Sequence, residues 1–131
     1  MANLETYLDQ TIINVIKIPY ISFGSTTTST LLATDAIGVT YRTIYIQGNE
    51  GAVTLISTPS ITAGEYDGQR LTIHGLSDSN LVILQDESNL ANSGIRLTHA
   101  YNCVFGKNDT MELTWYEDGA VWVELSRSDS Y

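Results

Sequence analysis

The sequence predicts a small all-β protein, an antiparallel sandwich or barrel-like knob carrying an extended N-terminal arm. Three observations predict it. Turn-forming residues recur every ~8–12 positions from about residue 40 onward, a spacing that suits a sandwich, a barrel or a β-helical stack. The stretches between those turns alternate apolar and polar residues, the period of a half-buried strand. Ser and Thr, 28 of the 131 residues, take the place of charge, which falls to 16% where soluble domains usually carry ~25%. Thr is β-branched and Ser competes with helix hydrogen bonds, so a hydroxyl-coated surface suits strands better than helices.

The chain divides into an arm with a polar linker, residues 1–39, and a β-rich body, residues 40–131. In the arm, Asn3 can cap a short helical turn over residues 3–9. Residues 11–18 follow, Thr-Ile-Ile-Asn-Val-Ile-Lys-Ile, with one charge, and Pro19 ends the run. This is a strand by propensity, and an aggregation hazard if its edge stays uncovered. Its own core, a sister chain or another protein must therefore cover it. Leu4, Tyr7, Leu8, Ile12, Ile13, Val15, Ile16 and Ile18 are the arm residues such a contact would use. Residues 24–30, Gly-Ser-Thr-Thr-Thr-Ser-Thr, read as a flexible connection that lets the arm reach away from the body.

In the body, Ile44 and Ile46 share one face of a strand over residues 43–47, and Gly48-Asn49-Glu50-Gly51 turns the chain. Val53 and Leu55 mark a strand over 52–56, and Ile61 precedes a turn at 64–68. Leu71 and Ile73 follow, then a Ser77-Asp78-Ser79-Asn80 turn into residues 81–84. Gly94 precedes Ile95 and Leu97, and Gly106-Lys107-Asn108-Asp109 precedes Met111, Leu113 and Trp115. Glu117-Asp118-Gly119 makes a hairpin turn into Val121, Val123 and Leu125. Ile73, Leu84, Leu97, Leu113, Trp115 and Trp122 are the expected core or oligomer interface. Strands this thin cover little apolar area. At ~25 cal/mol per Å² a narrow stack gains little over the entropy of ordering it. Association of several chains is the expected remedy.

The net charge of −9 argues against nucleic acid as a partner, because a polyanion gains nothing from counterion release there. The lone cysteine, Cys103, excludes an intrachain disulfide and reads as a small buried hydrophobe, compatible with a reducing cytoplasm. Glu5 and Asp9 stand where a secretory leader needs basic residues, and no apolar run approaches the ~18 residues of a membrane span. No membrane partner is expected.

Catalytic, cofactor-binding and metal-binding residues are not expected. His74 and His99, the only histidines, each end a strand and fall in no nucleophile-elbow or zinc-helix pattern. Asp67, Asp78 and Asp86 lie in turns that lack the ligand spacing of a calcium loop, and turns favour Asp for its backbone angles alone. Trp115, Tyr116 and Trp122 offer either a platform for a sugar ring or a pair of packed hairpin strands.

Several stretches resemble a module of phage virion proteins. They are Gly51-Ala52-Val53-Thr54-Leu55, Thr58-Pro59-Ser60-Ile61, Gly64-Glu65-Tyr66-Asp67-Gly68-Gln69-Arg70-Leu71-Thr72-Ile73 and Ser77-Asp78-Ser79-Asn80-Leu81-Val82-Ile83-Leu84-Gln85-Asp86. Gly94-Ile95-Arg96-Leu97, Met111-Glu112-Leu113-Thr114-Trp115-Tyr116 and Val121-Trp122-Val123-Glu124-Leu125 follow in the expected order. Residues 100–106, with Cys103 and Val104, depart from the module's glycine-rich turn. Such modules form trimeric knobs in tail fibres and spikes and on capsid surfaces. The resemblance implies a capsid cement (decoration) protein: a homotrimer on the virion shell, bound to the major capsid protein through its arm and made in the host cytoplasm. The alternative it implies is a tail-fibre, spike or collar knob that attaches to host-surface glycan.

Overall fold

The computed structural model describes residues 22–128. It is all-β, with nine strands in two sheets and a 3-10 turn at Thr98–Ala100. The strands are β1 (Ser22–Leu31), β2 (Tyr41–Gly48), β3 (Val53–Thr54), β4 (Arg70–Gly75), β5 (Val82–Leu84), β6 (Ile95–Arg96), β7 (Cys103–Phe105), β8 (Thr110–Tyr116) and β9 (Val121–Ser128). A six-stranded sheet has the order β1-β2-β4-β8-β9-β6, and a three-stranded sheet the order β3-β5-β7. The two-layer all-β class is therefore as expected.

Strand direction corrects one expectation. The sheets are mixed: β1–β2, β2–β4, β3–β5 and β6–β9 pair parallel, while β4–β8, β5–β7 and β8–β9 pair antiparallel. The reason is the path of the chain. From β2 it turns a corner at residues 49–52 into β3, and from β4 a second corner at 76–81 into β5. Both passes run from the large sheet to the small one, so β4 lies parallel to β2 and β5 parallel to β3. The third pass runs the other way, through β7, a corner at 106–109, and then β8. Among the described residues, β8 and β9 are the one pair of consecutive strands joined as an antiparallel hairpin; β1 and β2 are also consecutive neighbours, but run parallel and are joined by residues 32–40.

The three corners stack through backbone bonds. The Gly48 amide donates to the Asn80 carbonyl at 2.8 Å, and the Gly75 amide to the Asp109 carbonyl at 2.8 Å. On the far side Ile37 bridges to Ile61, and the Ser60 amide donates to the Ser93 carbonyl at 2.8 Å. The core lies between the sheets. From the large sheet come Ile44, Ile46, Leu71, Ile73, Met111, Leu113, Trp115 and Trp122; from the small sheet come Val82, Leu84, Cys103 and Phe105. Each buried aliphatic of this kind contributes ~1.5–3 kcal/mol relative to exposure. Alternation explains which residues enter: β2, β4 and β8 bury every second side chain.

Two other expectations are corrected. Residues 24–30 are no free linker: they lie within β1, paired with β2, and Leu31 and Ile37 just beyond are core residues. Thr supplies the reason, since its β-branched side chain fits a pleated surface whether or not the strand is apolar. Val121, Val123 and Leu125 do not share an inward face. Trp122 and Glu124 face inward, opposite Trp115 and Leu113, so Val123 and Leu125 take the other face and Leu125 is 46% exposed, while Val121 is buried at the start of the strand. The arm residues Leu4, Tyr7, Leu8, Ile12, Ile13, Val15, Ile16 and Ile18 lie outside the described residues.

Two buried carboxylates fasten loops to this frame. Asp86 accepts the Leu97 amide at 2.6 Å and the Ser88 amide at 2.8 Å. Burial pushes its carboxyl up, but these bonds, with Arg96 nearby, outweigh burial and hold it below the usual carboxylate range. Burial likewise pushes Glu124 up; Arg127, at 2.6 Å, and the Thr98 amide, at 2.9 Å, hold it down. A carboxylate depressed by folding stabilises the fold above its unfolded pKa of about 4 and loses that contribution as pH falls through the lower folded value. Stability measured by urea unfolding is therefore expected to be flat near neutrality and to drop as the solution is acidified below about pH 4. Asp86→Asn should lower the neutral plateau and make the acid slope shallower. A mutant with the wild-type slope would remove Asp86 from this account.

Candidate functional site

Three surfaces are candidates for function. The first is the outer face of the large sheet. Register aligns its side chains in rows across the strands. One row runs Thr26–Thr43–Thr72–Glu112–Ser126, and the next runs Thr28–Tyr45–His74–Thr110–Ser128. Thr30 and Gln47 begin a third, joined by a hydrogen bond of 3.2 Å. Tyr45 and His74 stack at the centre, ring centroids 4.9 Å apart. Burial lowers the His74 pKa from its ordinary value, so the ring is neutral at pH 7. Glu112 is neutralised by Arg70 at 3.0 Å. A protein of net charge −9 thus presents a broad face of hydroxyls, a phenol and a neutral imidazole, with Arg70 and Arg96 confined to a row at one end and each paired with a glutamate. Charge depletion of this kind marks the centre of protein interfaces.

The second surface is a groove formed by loops at one end of the sandwich. A hollow of about 560 Å³ is lined by Pro59, Glu87, Asn92, Gly94, Ala120 and Val121, among others. It adjoins a recess of about 120 Å³ whose lining includes Ile61 and Trp115. Pro59, Gly94 and Ala120 belong to both. Asn92, Gly94 and Ala120 have left-handed backbone angles, with φ of 65°, 76° and 49°. Asn and Gly adopt this region readily, but nothing in the local sequence marks Ala120. Glu87 is held by Arg96 at 2.6 Å. An apolar floor under a polar rim is the usual make-up of a small-molecule site.

The third surface is the edge of β1, which among the described residues ends the large sheet. It was hidden in the sequence by the linker-like composition of residues 24–30. The spacing of Thr26, Thr28 and Thr30, every second residue, was the available signal for a strand.

The residues singled out from the sequence fall as follows. Ile73, Leu84 and Leu113 are fully buried, and so is Trp122; Trp115 is 5% and Leu97 6% exposed. All six lie in one core cluster. The two indoles pack with centroids 5.2 Å apart, tilted by 59°. The Trp122 Nε1 donates to the Thr62 carbonyl at 2.9 Å, and the Trp115 Nε1 to Glu117 Oε2. A platform made of both tryptophans is thereby excluded; Tyr116 alone of that cluster is exposed. His99 lies beside Tyr101 on the 3-10 turn, away from the Tyr45–His74 stack. The turn aspartates serve the backbone: Asp67 accepts the Glu117 amide at 3.0 Å and Asp78 the Lys107 amide at 2.9 Å. Among the described residues, no group of three or more His, Cys, Asp or Glu is arranged to hold a metal ion.

No family model and no curated protein matches the chain. The likeness to virion knob modules rests on the residues quoted for it.

Proposed function

We propose that this chain is a bacteriophage virion structural protein, a capsid cement protein that trimerises on the shell and stabilises it by bridging coat subunits. The observation that carries the reading is the charge-depleted outer face of the large sheet on a molecule otherwise strongly anionic. Such a face suits close contact between proteins and offers no clustered acid, base or nucleophile for turnover. The order of the quoted turn and strand motifs supports the same reading. The arm, through Leu4, Tyr7, Leu8, Ile12, Ile13, Val15, Ile16 and Ile18, contacts the major capsid protein, and many weak footprints sum through avidity. No cofactor or nucleic acid takes part.

A tail-fibre, spike or collar knob is the second reading. The groove beside Pro59 and Trp115 favours it, because an apolar floor with Glu87 and Asn92 on the rim suits a sugar ring.

Copy number decides between them. Quantifying the protein in purified particles, together with imaging, should find hundreds of copies on the shell. A handful at the tail, with saturable glycan binding by the isolated protein, would transfer the assignment to the second reading. Absence from particles would end both. Deleting residues 1–10 is expected to abolish co-sedimentation with undecorated shells while leaving the oligomer and its melting temperature unchanged. Undiminished co-sedimentation would refute the anchoring role of Leu4, Tyr7 and Leu8.

A further inference from the structure

The acidic groups of this molecule are unevenly placed. Glu50, Asp67, Asp78, Glu117 and Asp118 stand in turns and corners at the ends of strands. Across β1, β2, β4 and β8 the one carboxylate is Glu112, and Arg70 holds it at 3.0 Å. On the outer face of these strands Thr26, Thr28 and Thr30 are exposed on one side, and Ser126 and Ser128 of β9 on the other. Tyr45 and His74 stack between them, both half-buried. Neither the Tyr45 hydroxyl nor the His74 ring makes a hydrogen bond to another described residue. The middle of the face thus holds a donor and an acceptor for an incoming molecule.

We infer that copies of this chain meet through this face, about an axis parallel to the strands, with β2 of one copy opposite β4 of the next. The occupant is argued from charge. Two molecules of net charge −9 repel wherever their acidic ends approach within a Debye length of ~8 Å. Face-to-face contact on these rows is the approach that sets no unpaired carboxylate against another. A basic partner would gain more from the acidic turns, so a neutral face suits a molecule as acidic as this one, which is a second copy. The rows are also complementary to themselves. About such an axis Tyr45 falls opposite His74 of the next copy, Thr43 opposite Thr72, and Thr28 opposite Thr110. A phenol donates to a neutral imidazole, and hydroxyls both donate and accept. The pairing of β2 with β4 is the same whether two copies or three close around the axis. The inference rests on the self-assembly in the cement reading and names the surface that makes it.

The test uses the full chain. Native mass spectrometry of the wild type should show an oligomer. Thr43→Glu with Thr72→Glu should convert it to monomer, because like charges then face each other across the contact, while a cooperative thermal transition is kept. Thr43→Lys with Thr72→Glu should restore the oligomer, because a lysine of one copy then faces a glutamate of the next. Thr54→Glu, at an exposed position on the small sheet, should leave the oligomer intact. Should a paired variant fail to fold, cross-linking decides. Chains carrying Thr43→Cys are co-expressed with chains carrying Thr72→Cys and treated with a short bismaleimide, the native Cys103 being buried. Linkage between the two different chains, found by peptide mapping, is the expected result. A monomeric wild type gives the face to some other partner and overturns the inference. So does an oligomer that survives the paired glutamates, a lysine–glutamate chain that stays monomeric, or the absence of linkage between the two cysteine chains. An oligomer built on another surface leaves the cement reading standing, and absence from particles leaves this contact standing, so the two fail separately.

Discussion

Leu113→Asp is expected to abolish folding. Leu113 is fully buried in the middle of the large sheet, opposite Leu71 on β4, within a cluster that also contains Ile73, Met111 and Trp115. A carboxylate placed there would exchange water for hydrocarbon with no cation to meet it. The uncompensated burial of a charge costs several kcal/mol even after the group takes up a proton, and the lost aliphatic packing adds to that cost. Domains of this size have about 5–15 kcal/mol in all. The expected readout is insoluble protein, or soluble protein without a cooperative thermal transition. Leu125→Asp is the matched control. It makes the same chemical change on β9, at a side chain 46% exposed, and should move stability by no more than about 0.5 kcal/mol. Equal effects from the two substitutions would mean that the assigned inner and outer faces are wrong.

Gly75→Ala should be nearly as damaging, although it adds a single methyl group. A Cβ at Gly75 would lie 1.9 Å from the Gly106 carbonyl oxygen. That oxygen belongs to the backbone of the next corner, which is fixed by the bond from the Gly75 amide to the Asp109 carbonyl. No side-chain rotation relieves the contact, so the corner stack must open. Overpacking that side chains can absorb costs about 1–3 kcal/mol, and this change is expected at the top of that range or above it. Gly38→Ala is the control. Nothing lies within 4 Å of its added Cβ, and replacing glycine where the backbone allows it usually stabilises by about 0.4–1 kcal/mol through the unfolded state. Urea midpoints of the two variants should therefore move in opposite directions.

Much of this architecture was legible because local rules and the tertiary structure agree. The alternation around Ile44, Ile73 and Leu113 gave the strands and their buried faces, and the glycine-bearing turns at 48–51 and 106–109 gave corners. What could not be read depends on partners distant in sequence. Strand direction follows from which sheet the chain visits next, and a turn signal at residues 49–52 is the same whether it leads to a hairpin or a corner. The facing of Leu125 follows from Trp122 and Glu124 taking the inward positions of β9, and no residue type announces which of the two alternating sets turns inward. Composition masks β1, because its threonines form a polar, linker-like tract even though their β-branching suits a strand. The groove depends on loops distant in sequence and on left-handed backbone at Ala120, which alanine does not announce. In the candidate site, single residues were recognisable from the sequence, but the rows joining Thr43, Tyr45, Thr72 and His74 exist only once β2 and β4 align.

The backward third pass has a consequence for how this protein could have arisen or be lengthened. Parallel passes can be multiplied by duplicating a segment, since each new copy presents to the next the same ladder it received. A pass laid down in the opposite sense ends that series, because it offers an antiparallel ladder to anything added after it. Growth by duplication is thus open upstream of β4 and closed downstream of β5. Longer descendants or designed variants of this chain should carry their additional repeats between residues 41 and 69 and keep a single terminal hairpin.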